Sequence, residues 1–290
     1  MKKLLIFLAA AIAMAACSAP AERKVMARFV PERYDDFIFE NNLIVGRFYG
    51  RALEADVPGG HLVSPGIDIW VKYPGALVAD KMYEGELVGK KSYHKNWGMG
   101  KDCYKVGKSL GGGASVPVGE SGLLMPDHNF LSYDILEDGP EKVVFMLHYA
   151  PWEAEGKTIS LDKKVTVTPD THFCLVEDTY TFTGADSLEI AAGIFRHPDQ
   201  ETIAEELTLP DRYAIWEKAS DQGIEPEEGM IGVAVCVPGA TSVRITEDGV
   251  HGLCTRFVRS GEPFVYSFGS CWSAGDLTTA ADWFSAVRAQ

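Results

Sequence analysis

Hydrophobic and polar positions alternate through much of the second half of the chain. Lys163, Val165 and Val167 fall on one side of an extended run whose other side carries Lys164, Thr166 and Thr168. Val176, Asp178, Tyr180 and Phe182 alternate in the same way with Glu177, Thr179, Thr181 and Thr183. Strand-like runs are predicted at 43–49, 67–72, 143–149, 159–167, 173–182, 188–195, 213–217, 232–237, 242–247, 252–259 and 263–272. Turn signals such as Glu137-Asp138-Gly139-Pro140, Pro169-Asp170 and Glu247-Asp248-Gly249 separate them. Short alternating strands with regular turns predict an all-β fold, a large antiparallel β-sandwich. A loop-rich first half, to about Asp127, would decorate a sheet-rich second half. One helix is predicted, at 278–288, capped by Asp276 or Thr278, with Ala281, Phe284 and Ala286–Val287 sharing a face.

Residues 93–113, YHKNWGMGKDCYKVGKSLGGG, follow no period of 2 or 3.6. Two tyrosines, a histidine, a tryptophan, an aspartate and four lysines stand there among six glycines. Glycine at this density allows tight turns and close approach of a ligand to the backbone. Polar aromatics and titratable groups on such a loop are the material of a binding or catalytic site.

The first 16 residues read as a signal peptide: Lys2 and Lys3, then an apolar run from Leu4 to Ala13 too short to span a bilayer comfortably. Met14-Ala15-Ala16-Cys17 resembles a lipobox, which would make Cys17 a lipidated N-terminus and residues 17–30 a tether for a single domain over 31–290. The expected location is therefore periplasmic or outer-membrane, with membrane contact through the lipid anchor only. A formal charge of −14 makes nucleic acid a poor partner but leaves room for a local basic pocket. Cys103, Cys174, Cys236, Cys254 and Cys271 form no CxxC or CxxH, so no zinc site is expected and mostly free thiols are. The acidic Gly223–Glu228 run reads as a solvated loop.

Four segments, ERYDDFIFENN with IVGRFYGRAL (Glu32 to Leu53), SPGIDIWVK (Ser64 to Lys72), the 93–113 loop and EDGPEKVVFMLHY (Glu137 to Tyr149), together resemble the domain-of-unknown-function 4861 family. Its members are exported proteins associated with polysaccharide breakdown. Their layout is similar to the galactose-mutarotase-like supersandwich. The resemblance implies a carbohydrate-processing context, above all an acidic oligosaccharide or polysaccharide, and supplies no certified catalytic residue.

Three readings of the residues follow. Lyase-type β-elimination on a uronate-containing glycan needs a base, a carboxylate neutraliser and a leaving-group acid. Tyr93, His94 and Tyr104 offer proton transfer, with Asn41 and Arg47 beside the carboxylate. His148, Tyr149 and His197 are further ligand-contact candidates. A glycoside hydrolase would instead draw an acid and a base from Glu40, Asp68 and Asp102. A non-catalytic glycan-binding lipoprotein needs only an aromatic platform, for which Trp97, among glycines, is the best placed of Trp70, Trp97, Trp152 and Trp272. No cofactor is expected. Asp68 and Asp102 offer oxygens for Ca²⁺, without a calcium-loop motif.

Overall fold

The computed structural model describes residues 22–55, 60–197, 202–219 and 229–290; the leader, Cys17 and the Gly223–Glu228 run lie outside them. The chain begins with β1 (Val25–Val30), β2 (Asp36–Asn41), β3 (Val45–Phe48) and β4 (Asp68–Lys72), then passes through α1 (Ala79–Leu87) into β5 (Gly100–Asp102). Next come β6 (Ser115–Gly119), β7 (Gly122–Leu123), β8 (Ser132–Asp138), β9 (Val143–Ala154), β10 (Lys157–Val167), β11 (Phe173–Phe182) and β12 (Leu188–Phe195). The last elements are β13 (Ile203–Leu209), β14 (Arg212–Lys218), β15 (Met230–Cys236), β16 (Ser242–Ile245), β17 (His251–Val258), β18 (Pro263–Trp272) and α2 (Ala280–Ala289).

Among the described residues, three antiparallel sheets result. The central one has eight strands in the order β13-β14-β15-β18-β11-β10-β9-β8. Two five-stranded sheets, β1-β2-β3-β4-β5 and β16-β17-β12-β6-β7, share one continuous core with it. The alternation explains the layering. Ile159, Leu161, Val165 and Val167 of β10 and Val176, Tyr180 and Phe182 of β11 all turn inward and are buried. Phe39 of the first sheet meets Phe145 and Phe268 of the central sheet at ring distances of 5.9 and 5.8 Å. Each such buried aromatic contributes about 1.5–3 kcal/mol through burial.

α2 covers the opposite face of the central sheet, where Trp283 stacks on Phe173 at 5.5 Å. It starts one residue beyond the expected cap: Thr279 accepts the Asp282 backbone N–H at 3.2 Å. The five cysteines from Cys103 to Cys271 are buried, and no disulfide joins them.

The N-terminal half departs from the expectation of decoration, because it supplies a sheet of its own. The ordered fold also begins before residue 31: Val25 and Ala27 enter the main core and Val30 packs under α1, so β1 is part of the domain rather than tether. α1 was not foreseen. Its first residues carry no capping side chain; Glu40 of β2 instead accepts the Val78 and Ala79 N–H groups at 2.7 and 2.9 Å. A cap supplied by a strand some forty residues upstream leaves no local signature.

Candidate functional site

The first sheet has two dissimilar faces. Its inner face is phenylalanine-rich and joins the core. Its outer face carries Asp36, Glu40, Arg47, Asp68, Lys72 and Asp102, all buried beneath α1 and the loop that follows it. A period of 2 puts these charges on one side of β2, β3, β4 and β5.

Arg47 is the hub of this layer. Its guanidinium donates to Asp68 through both Nε and Nη2 and to Asp102 at 3.0 Å, and it lies 3.5 Å from Asp36. Tyr93 OH accepts from Arg33 Nε at 3.0 Å and from Arg47 Nη1 at 3.4 Å. Tyr49 OH donates to Asp68 at 3.0 Å. The rings of Tyr49, Trp70 and Tyr93 surround the guanidinium at 5.1 to 5.5 Å, a cation–π cage. Burial, only partly offset by Arg47 and Arg33, raises the Asp36 carboxyl from 3.8 to about 6.

The loop after α1 closes on itself. Tyr93 O accepts the Asp102 N–H at 2.8 Å, and Glu86 of α1 accepts the Tyr93 N–H at 3.0 Å. Gly100 has φ +129°, and a Cβ there would stand 2.0 Å from Val71 O, so only glycine lets β5 dock on β4. His94 Nδ1 lies 3.0 Å from the Asp102 carbonyl oxygen, so it carries the proton and leaves the lone pair on Nε2. Burial also holds the His94 pKa below its usual value, so the ring, about a quarter exposed, is neutral at pH 7.

Trp97 is the exposed member of this loop, at 44%. Its indole N–H donates to Ser92 O at 3.0 Å, which fixes the ring plane, and the Lys91 and Lys95 ammoniums lie 5.4 and 5.5 Å from its centre. The ring borders a groove of about 350 Å³ between α1 and the loop, lined also by Lys81, Glu84, Tyr93 and Met99. Three lysines against one glutamate make a basic patch on an acidic chain.

The expected site residues separate into distinct places. Tyr93, Arg47, Asp68 and Asp102 come together, with His94 at their edge, but Tyr93 is only 4% exposed and Arg47 is enclosed by carboxylates. Its guanidinium occupies the space between Asp68 and Asp102 that a calcium ion would need. Asn41 has its amide fully engaged: Nδ2 donates to Thr168 O and Thr171 O, and Oδ1 accepts the Leu43 and Ile44 N–H groups. Glu40 is held by Lys72 and the start of α1. Tyr104 is buried and donates to Gly111 O and Phe195 O.

His148 and Tyr149, consecutive on β9, face opposite sides of the central sheet. His148 sits on the outer face between Asp162 (2.6 Å) and Asp134 (3.0 Å), and these bonds, Asp162's above all, raise its pKa. Tyr149 is in the core, where burial raises its pKa. His197 is buried between Glu217 at 3.0 Å and Lys105 O at 2.8 Å. Trp70, Trp152 and Trp272 are buried. The groove lysines Lys81 and Lys91 were missed, since their relation to Trp97 depends on α1.

A family model described as Domain of unknown function (DUF4861) matches residues 11–290. Uncharacterized protein P7 of Formosa agariphila is 33% identical over 217 residues, which cover 73% of this chain and 51% of the relative. The chain thus spans about half the length of that curated relative. Among solved structures, the galactosidase domain of the α-galactosidase-sucrose kinase AgaSK aligns at TM-score 0.40 and 10% identity, over 85% of this chain and 42% of its own. The GH36 α-galactosidase AgaB of Geobacillus stearothermophilus aligns at 0.37 and 8%, over 85% and 41%. A 4-α-glucanotransferase of Thermococcus litoralis aligns at 0.35 and 9%, over 87% and 40%. Likeness at these scores does not extend to activity.

Proposed function

The chain belongs to the family of the domain of unknown function 4861, and from that premise we propose that it binds an acidic glycan in the groove beside α1. One observation carries the reading: an exposed tryptophan, held flat by its own N–H, with two lysine ammoniums beside it in a groove. The indole face covers the apolar face of a sugar ring, and the lysines meet a carboxylate or sulfate with charge-assisted bonds. Tryptophan fluorescence titrated with uronate-bearing oligosaccharides tests this. Saturable quenching that disappears in Trp97→Ala is expected; equal quenching in both proteins removes the groove from the account.

A lyase reading rests on His94, whose Nε2 lone pair and neutral state suit a general base. In that reading Lys95 rather than Arg47 or Asn41 meets the carboxylate, and Tyr93, whose hydroxyl is turned into the Arg47 cluster, only flanks the base with the rings 4.7 Å apart. Ultraviolet absorbance of an unsaturated uronate, rising with wild type and flat with His94→Ala, is the expected signal; no rise on any acidic glycan that binds leaves binding alone.

Export and lipidation at Cys17 complete the proposal, placing the groove at a membrane surface in the periplasm or on the outer membrane. Incorporation of a labelled fatty acid, lost in Cys17→Ala, is the expected result; unlabelled protein in both removes the anchor.

A further inference from the structure

The interior of the sandwich holds a second buried lysine–carboxylate pair that no binding role uses. Lys163 of β10 and Asp178 of β11 are directly opposite each other in the antiparallel register, and both are 0% exposed. Lys163 Nζ lies 2.5 Å from Asp178 Oδ2 and 3.3 Å from Tyr266 OH. Ser115 Oγ donates to the same Oδ2 and is 2.7 Å from Tyr180 OH. Asp178 Oδ1 is buried with no hydrogen-bond partner.

This pair is poorly built as an ion pair. An ammonium has three donors and meets two acceptors here; a carboxylate with one bare oxygen carries a desolvation cost that nothing offsets. The other buried pair shows the contrast. Lys72 Nζ finds three acceptors, Glu40 Oε1 at 2.6 Å, Asn41 O at 2.8 Å and Ala76 O at 2.7 Å, and both Glu40 oxygens accept backbone N–H groups. Burial pushes both pairs toward neutrality, lowering the lysines and raising the acids, but only Lys72–Glu40 has the partners to remain charged. A neutral amine beside a neutral carboxylic acid, in a dry pocket and held at contact distance, is the ground state for amide formation.

We infer that Lys163 and Asp178 become joined by an intramolecular amide once β10 and β11 have paired. The Nζ lone pair attacks Cγ of the protonated carboxyl, and Oδ1 takes up the electron pair of the C=O bond. The nitrogen proton passes directly to the adjacent Oδ2, 2.5 Å from Nζ, with Ser115 Oγ hydrogen-bonded to that oxygen. The Cγ–Oδ2 bond then breaks, the C=O bond at Oδ1 re-forms and one water leaves. No oxidant, reductant or cofactor is consumed. The bond ties neighbouring strands at the centre of the eight-stranded sheet, in a chain whose described cysteines form no disulfide.

Tryptic mapping of the folded wild-type protein under denaturing conditions tests this. Cleavage after Lys164 separates 158–164 from 165–196 unless they are joined. The expected species contains both peptides at their summed mass less one additional water, with Lys163 resistant to trypsin. Lys163→Met is expected to release 165–196 as a linear peptide. Asp178→Asn is expected to give the same cross-link with loss of ammonia. Recovery of unmodified linear peptides from wild type after prolonged incubation of the folded protein overturns the inference and leaves a buried ion pair. Because wild type alone decides the outcome, a variant that fails to fold does not cloud it.

Discussion

Tyr93 belongs to two regions that look alike in sequence and differ in what their polar groups are able to do. Its hydroxyl closes the Arg47 cluster, while its ring lines the groove of Trp97. On the Arg47 side, three buried carboxylates converge on one enclosed guanidinium, so the charges organise β2 to β5 under α1 even though Asp36 and Asp68 each keep a buried Oδ1 without a hydrogen-bond partner. On the Trp97 side, an aromatic face and lysine ammoniums meet solvent. The lesson is that residue type does not separate architecture from function here; burial and internal ion pairing do. Arg47, Asn41, Glu40 and Asp68 have the composition of a sugar site and the connectivity of a core.

The sharpest way to break this contrast is to remove the hub. Arg47→Met leaves three carboxylates in a dry layer, and a loss of about 3–5 kcal/mol is expected from denaturant unfolding. A wild-type midpoint would mean that the carboxylates find other partners and that Arg47 is not structural.

Asp36 sharpens it through pH. Its folded pKa of about 6 lies above the ordinary 3.8, so the protonated form is favoured on folding. That contribution, about 3 kcal/mol, is fully present below the unfolded pKa and is lost as pH rises through about 6. Asp36→Asn should therefore gain on wild type across this window when the two unfolding free energies are compared. Parallel curves would show that Asp36 is ionised throughout.

The groove should respond in the opposite sense. Trp97→Ala is expected to weaken glycan binding by about 2 kcal/mol, roughly thirtyfold in Kd, with little change in unfolding midpoint. A large loss of stability instead would make Trp97 a packing residue. The smallest effect belongs to the flanking charge: Lys91→Gln should cost roughly two- to fivefold in Kd at low salt and less as salt rises. Affinity independent of salt in both proteins would argue for an uncharged ligand.

The legibility of the sequence follows the same division. β9, β10 and β11 could be read because one face meets water, so period 2 survives as an apolar–polar alternation. The first sheet was hard to read because both faces are buried and one is charged. Asp36, Glu40, Arg47, Asp68, Lys72 and Asp102 alternate with apolar neighbours as solvent-facing residues do, yet α1 covers them. α1 itself lacks a local cap, since Glu40 provides it from β2. The loop around Trp97 was identified from glycine density and polar aromatics. The groove's second wall, with Lys81 and Glu84, exists only after α1 folds over the sheet.

The most direct measurement of the central claim is a calorimetric comparison of one uronate oligosaccharide with its carboxyl-reduced counterpart of equal length, on wild type and Trp97→Ala. The account predicts that wild type binds the acidic form more tightly, that the preference shrinks with salt, and that Trp97→Ala weakens both forms. Equal affinity for the two forms, or binding untouched by Trp97→Ala, would contradict it.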